Sequence, residues 1–133
     1  MKDGRIAVTG LGVCTALGHT PEALWEGLSA GRSAGAPIEG FDAEGHISRI
    51  AAEIKDFDPS PVLGRKRTRR MARFSQMASY AALQAVAHAG IDLAEQARDR
   101  AGVVVGTAAG DYENLEEQHR ILMEKGPGNG FPL

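Results

Sequence analysis

The stretch RIAVTGLGV, residues 5–13, joins a run of strand-forming apolar residues to a pair of glycines. An apolar run of this kind, followed by glycines, predicts a buried strand that ends in a turn. The stretch AGVVVGTAAG, residues 101–110, repeats the pattern. Continuously apolar strands that alternate with helices are typical of parallel or mixed sheets. The two stretches therefore predict an α/β domain.

The first helix is predicted to begin at Pro21, several residues after the glycine turn. Thr20 can cap it, Pro21 suits its first position, and Gly31 can end it. Its apolar side chains are expected to face the core: Leu24, Trp25 and Leu28. A short strand is predicted further on, in SRIAAEI at residues 48–54.

The longest helix is predicted over Thr68–Ala89 and ends at Gly90. Small and apolar residues recur in it at helical spacing: Met71, Phe74, Ala78, Ala81, Ala82, Ala85 and Ala89. So many small residues predict a helix packed closely against a sheet. A further amphipathic helix is predicted in DYENLEEQHRILMEKG, residues 111–126, with acids in its first turns and Lys125 near its end.

Composition indicates a globular protein with one domain. The chain has 133 residues, of which 43% are hydrophobic and 24% charged. Its single cysteine, Cys14, excludes an internal disulfide framework and a cysteine-based zinc site, and favours the cytoplasm. No apolar run approaches membrane-spanning length. Because Phe131 and Leu133 are apolar and nothing after Gly126 closes the sheet, we expect the chain to be part of a larger protein.

The sequence has no complete nucleotide-binding motif. Gly10 and Gly12 begin a dinucleotide fingerprint, but the third glycine is replaced by Thr15 and no helix opens there. The stretch GTAAGD, residues 106–111, lacks the Gly-Lys-Ser/Thr of a phosphate loop. We therefore expect no cofactor.

Two further candidates for chemistry are weak. Cys14 has no cation or histidine near it in sequence to lower its pKa, so a packing role is favoured over a nucleophile. Glu116 and His119 have the spacing of half a carboxylate-bridged metal site, but a second copy is lacking. They are interpreted as a solvated or pocket-rim face, and no metal is expected.

The segment Gly64–Arg73, GRKRTRRMAR, is named the basic segment here; it holds six cations and no carboxylate. The rest of the chain has nine basic residues against 17 acidic ones, a net charge of −8. If the long helix extends back to Lys66, four cations share one stripe: Lys66, Arg69, Arg70 and Arg73. Cations at a helix N-terminus oppose the macrodipole, which favours a functional surface over a merely solvated face. An acidic protein fits better than nucleic acid, since the remaining charge would repel phosphates and no aromatic residues interleave the cations.

Several blocks together resemble one family, the β-ketoacyl-acyl-carrier-protein synthases, and most closely its type II condensing enzymes. The blocks follow in the family's order and spacing over essentially all 133 residues. They are RIAVTGLGVCTALG, LWEGLSAGRS, IAAEIKDFDP, RKRTRRMARFSQMA, VVVGTAAG and EEQHRILMEKGP. The resemblance implies a thiolase-like fold, built from two similar α/β halves and paired as a homodimer. Residues 1–133 would be the first part of the N-terminal half.

The resemblance also implies an activity, the decarboxylative condensation of acyl thioesters with malonyl-carrier protein in fatty acid or polyketide synthesis. The family's cysteine nucleophile and two histidines would lie beyond Leu133, and Cys14 does not match the nucleophile. The 133 residues alone are therefore predicted to be inactive.

Site residues carried over from the family fall into two groups. Lys66, Arg69 and Arg70 match cations that dock acyl carrier protein, and Arg67 and Arg73 are further candidates. Ala109 stands where the family often has a bulky gate to the acyl pocket, and Leu133 where it has an aromatic residue near that pocket: the acyl-pocket positions are thus Ala109 and Leu133.

Two alternatives stay open from the sequence. One is a non-catalytic relative, the chain-length partner of a condensing heterodimer, which keeps the fold and loses the nucleophile. The other is a standalone basic binding module, which would fold as a stable monomer and bind nucleic acid in a salt-sensitive way.

Overall fold

The structure, a computed structural model, describes residues 4–92, 99, 101–108 and 110–128. Its elements in chain order are α1 (Pro21–Ser29), β1 (Ala36–Pro37), β2 (Ile50–Ala51), α2 (Ser60–Leu63), α3 (Arg65–Thr68), α4 (Arg73–Ala89) and α5 (Tyr112–Lys125). The strands β1 and β2 form a two-stranded antiparallel sheet in which Ala36 pairs with Ala51. Helices thus dominate the described residues.

Helix α1 has the predicted ends. The Thr20 hydroxyl accepts a hydrogen bond from the Ala23 N–H at 3.3 Å, Pro21 is the first helical residue, and Gly31 follows the end with φ +66°. The predicted inward face is wrong, because Trp25 is 72% exposed and Leu28 56% exposed.

The face of α1 that packs is instead the one bearing Gly27, the helix's buried residue. A Cβ at Gly27 would lie 3.3 Å from the Leu17 Cβ, so the absence of a side chain lets the preceding turn approach. Hydrophobic periodicity located the helix but not the face that is covered.

The two predicted buried strands are wrong for the described residues. The segments 5–13 and 101–107 are without strand pairing. Their apolar side chains are largely exposed to solvent: Ile6 is 98%, Val8 82%, Val103 86% and Val104 100% exposed. An extended segment becomes a strand only when a neighbour supplies its hydrogen bonds. The third predicted strand, 48–54, is reduced to Ile50–Ala51.

Helix α4 begins at Arg73, five residues later than predicted, and ends at Gly90 as predicted. Gly90 is left-handed (φ 64°), its N–H donates to the Ala87 carbonyl, and the Ile91 N–H donates to the Val86 carbonyl. This pair of bonds satisfies carbonyls that the helix end would otherwise leave open.

The small residues of α4 pack closely, as predicted, but against the extended segment 10–12 and not against a sheet. A Cβ at Gly12 would lie 1.9 Å from the Ala81 carbonyl oxygen, and one at Gly10 would lie 2.0 Å from that of Ala85. Only glycine permits this approach of segment 10–12 to the helix backbone. The glycine pair therefore serves packing against α4.

Polar side chains of α4 hold the chain that follows these glycines. The Gln84 amide donates to the carbonyls of Val13 at 3.1 Å and His19 at 2.7 Å. The His88 Nδ1 accepts a hydrogen bond from the Leu11 N–H at 3.0 Å. The turn before α1 is thus fixed to α4 by side-chain hydrogen bonds.

Buried apolar side chains are few in the part of the chain that the structure describes: Phe57 is 9% and Leu63 7% exposed. The Phe57 ring meets His19 and Tyr80 edge-on, with ring centroids 5.3 and 5.2 Å apart. This small core includes Leu63, the last residue of α2, and so adjoins the basic segment. No described helix has the length and apolar character needed to cross a membrane.

Candidate docking surface

The basic segment is built on two short helices and a turn. The Asp58 carboxylate accepts a hydrogen bond from the Ser60 N–H at 2.9 Å and so opens α2. Gly64, with φ +81°, separates α2 from α3, a backbone conformation that glycine adopts without strain. Helix α3 then carries Arg65, Lys66 and Arg67 in a single turn.

The predicted continuous helix through this segment is wrong. Ala72 is extended, with φ −57° and ψ 149°, so the chain leaves α3 before α4 begins. The Gln76 amide donates to the carbonyls of Thr68 at 3.0 Å and Met71 at 2.9 Å. This side chain replaces backbone donors that a continuous helix would have supplied.

The break removes Arg73 from the predicted stripe of cations. Its guanidinium donates to the Ile54 carbonyl at 3.0 Å and lies 5.7 Å from the centroid of the Phe57 ring. Arg73 therefore packs over the small core, where a cation and an aromatic face attract one another.

The other cations lie around two separate hollows. An open groove of about 620 Å³ is lined by Leu63, Gly64, Lys66, Arg67, Arg70 and Met71. A smaller hollow of about 280 Å³ is lined by Asp58, Ser60, Arg65, Thr68 and Arg69. Lys66 and Arg70 are thus brought together, whereas Arg69 faces the second hollow.

The two hollows differ in charge. In the smaller one, hydrogen bonds from Ser60 hold the pKa of the Asp58 carboxyl below its ordinary value, and the nearby charge of Arg65 adds to the effect. A carboxylate therefore accompanies Arg65 and Arg69. The groove, in contrast, has cations and apolar side chains in its lining and no acid.

Ion pairs form elsewhere in the described residues, but none of them involves a cation of the basic segment. Arg120 bonds Glu117 at 2.7 Å and Glu124 at 3.1 Å, for example. Cations left without internal partners keep their charge available for an outside one.

Cys14 is half-buried and is not an activated thiol. Burial raises its pKa, and the charge of Arg73, distant in sequence but near in the fold, offsets this only in part. A protonated thiol is a poor nucleophile, which supports the packing interpretation.

Glu116 and His119 are both exposed on α5. Glu116 lines an open cavity of about 680 Å³ between α5 and the start of α4, and His119 is not among its lining residues. No group of three or more His, Cys, Asp or Glu side chains within the described ranges is arranged to hold a metal ion.

Sequence reasoning missed the floor of the groove. The sequence pattern placed Met71 among the packed residues of a long helix and gave Leu63 no role. The signal was present as Gly64, which ends α2 and lets the cations of α3 fold back beside Leu63. The acyl-pocket positions Ala109 and Leu133 lie outside the described residues, so their assignment to that pocket stays a prediction.

Comparison with known proteins identifies the family. The family model described as "Beta-ketoacyl synthase, N-terminal domain" matches residues 3–130. The chain is 41% identical, over all 133 residues, to a protein named 3-oxoacyl-[acyl-carrier-protein] synthase 2 from Synechocystis sp., and 36% identical to its namesake from Vibrio harveyi. It spans about a third (32%) of the length of each of these relatives.

Solved structures agree with these relatives. A β-ketoacyl synthase from Burkholderia phymatum aligns over 92% of this chain and 30% of its own, with a TM-score of 0.75 and 33% identity. The ishigamide ketosynthase/chain length factor aligns over 94% of this chain and 31% of its own, with a TM-score of 0.74 and 32% identity. The predicted thiolase-like class is confirmed by these neighbours, and the chain belongs to the β-ketoacyl synthase family, whose N-terminal domain it matches.

Proposed function

We propose that the protein is a β-ketoacyl-acyl-carrier-protein synthase, an acyltransferase that condenses acyl thioesters with malonyl-carrier protein in fatty acid or related polyketide synthesis. Within it, the basic segment is the surface that binds the acidic acyl carrier protein. The observation that carries this assignment is a run of six cations without a carboxylate, none of them in an ion pair with another described residue, in a chain related to carrier-protein synthases.

Charge explains why a carrier protein suits this surface. The rest of the chain has a net charge of −8, so it repels an extended polyanion such as nucleic acid. A small acidic protein contacts only the basic segment. Complementary potentials steer such a partner into place and accelerate its association.

Several finer features belong to the same proposal. The protein acts as a homodimer in the cytoplasm, uses no cofactor, and takes both acyl and malonyl thioesters. Its nucleophile is a residue other than Cys14. Ala109, smaller than the family's usual gate, leaves the entrance of the acyl pocket wide.

Charge reversal tests the surface. In the intact gene product, Arg69→Glu combined with Arg70→Glu should weaken binding of acyl carrier protein by about 2 kcal/mol, roughly thirtyfold, because attraction becomes repulsion. Titration calorimetry at low salt measures the change.

The matched control is Arg5→Glu combined with Arg49→Glu. It alters the net charge equally at two exposed cations outside the basic segment. Unchanged affinity in the first variant, or equal losses in both, would remove the docking assignment.

A second candidate, the non-catalytic chain-length partner, is favoured by one observation. The matched ishigamide structure is described as a ketosynthase/chain length factor, and likeness to it is compatible with either kind of subunit. Incubating the intact gene product with a radiolabelled acyl thioester separates the two. A synthase takes a covalent acyl group, also when Cys14→Ser is present, whereas a chain-length partner takes none.

A further inference from the structure

The groove formed by Leu63, Lys66, Arg67, Arg70 and Met71 combines an apolar floor with a cationic rim, and its lining includes no acid. Its floor is apolar, since Leu63 and Met71 line it together with Gly64. Its rim is cationic, and none of the rim side chains forms an ion pair with another described residue. The neighbouring hollow has an acid, Asp58, where the groove has apolar side chains.

This combination selects one kind of ligand. A carboxylate pairs with the cations of the rim but has no favourable contact with the apolar floor. An apolar side chain contacts the floor favourably but leaves the cations of the rim unpaired. A helix that presents an apolar residue between acidic ones satisfies both at once. Salt screens the contacts of the rim, whereas contact with the floor persists.

We infer that the groove binds an apolar side chain of the carrier protein's acidic helix, and that Met71 sets the strength of this contact. The inference rests on the proposed function and adds a short-range apolar component to the docking of charges. Leu63 is the buried part of the floor, because it is 7% exposed and belongs to the core.

Met71 is the residue suited to this role. It is half-buried and follows directly on Arg70, in the turn between α3 and α4. Its carbonyl is fixed by the Gln76 amide at 2.9 Å, which holds the backbone while the side chain stays free to adapt. An unbranched thioether adjusts to irregular apolar partners.

The test is carrier-protein binding to the intact gene product at low and high salt, with association and dissociation rates recorded. Met71→Gln keeps the length of the side chain and removes its apolar character. It should weaken binding about fivefold at both salt concentrations, through faster dissociation. Lys66→Gln combined with Arg70→Gln should instead slow association and reduce the dependence of affinity on salt.

Two further variants serve as controls for the effect of Met71→Gln on binding. Met71→Leu preserves apolar volume and should bind like the natural protein, which shows that a loss in Met71→Gln is not a folding defect. Met123→Gln, at a methionine 73% exposed on α5, should leave binding unchanged. If Met71→Gln does not fold, the shorter Met71→Ala supplies the same comparison.

The outcomes separate this inference from the proposed function. Natural affinity in Met71→Gln, together with weakened binding in the charge variant, overturns the inference and leaves the docking assignment standing. If neither variant weakens binding, the docking assignment itself fails. An effect of Met71→Gln that disappears at high salt also overturns the inference, because an apolar contact is not screened.

Discussion

At the residue scale, Gly12 shows how one missing Cβ decides the packing of a helix. A Cβ there would lie 1.9 Å from the Ala81 carbonyl oxygen, an atom held in place by the backbone of α4. Gly12→Ala should therefore lower the free energy of unfolding by about 1–3 kcal/mol, the usual cost of overpacking. Urea denaturation of the intact gene product measures the change.

The control is Gly102→Ala, at a glycine with nothing within 4 Å of the position of its Cβ. It should leave the free energy of unfolding nearly unchanged. Equal stability of the Gly12→Ala variant and the natural protein would contradict the close approach of segment 10–12 to α4.

Cys14 gives a second prediction at this scale. Because burial raises the pKa of its thiol, alkylation by iodoacetamide should reach half its maximal rate at a pH above about 8.5, the value for a free cysteine. Mass spectrometry of the Cys14 peptide follows the reaction. Arg73→Gln should raise this midpoint further, since Arg73 opposes the effect of burial. Fast alkylation at neutral pH would restore Cys14 as a candidate nucleophile.

At the element scale, both ends of α1 and the C-terminal end of α4 were predictable, and helix continuity was not. The Thr20 cap and the Gly90 terminus depend on residues within one turn of the helix. The break at Ala72 depends on Gln76, whose side chain folds back onto two carbonyls. Apolar periodicity contains no information about such a bond, so the sequence predicted one helix where there are two.

Glu53 allows a test of how the segment next to the small sheet is held. Its carboxylate accepts hydrogen bonds from the N–H groups of Glu39 at 3.0 Å and Gly40 at 2.9 Å, which hold its pKa below the ordinary value. A carboxyl whose pKa is lower in the folded state stabilises that state above the unfolded pKa, about 4.3. The contribution is lost as the pH falls through the folded value.

Glu53→Gln should consequently melt at a lower temperature than the natural protein at neutral pH, and the difference should shrink as the pH falls below about 4. Calorimetry across this range measures it in the intact gene product. Glu44→Gln is the control, since the Glu44 side chain has no hydrogen bond in the described residues. A difference that grows toward low pH would contradict the assigned sign.

At the scale of the whole molecule, apolar surface dominates the behaviour expected of these 133 residues by themselves. In the described part, Ile6, Val8, Val103 and Val104 are each more than 80% exposed, and the buried apolar side chains are Phe57 and Leu63. Burial on this scale is too small to offset the conformational entropy of the chain.

The 133-residue polypeptide should therefore bind a hydrophobic dye such as ANS and unfold over a broad temperature range. Dye fluorescence and calorimetry test this together. A sharp, cooperative transition without dye binding would revive the standalone basic module as an alternative.

The sequence by itself determined the family, both ends of α1, the C-terminal end of α4 and the position of the run of cations. These features depend on residue type and short-range spacing. An N-cap needs a side-chain hydroxyl, the C-terminal end of a helix favours a glycine, and a run of cations is visible in the residue types alone. The match to known synthases over residues 3–130 is of the same kind.

Only the tertiary structure decided which surfaces these residues share. It took Arg73 out of the stripe and placed it over the Phe57 ring, divided Lys66 and Arg70 from Arg69, and placed Met71 in the groove. It also showed that strand-forming segments at 5–13 and 101–107 are unpaired among the described residues. The reason is physical: burial, pairing and the direction of a side chain depend on neighbours distant in sequence, which local pattern does not specify.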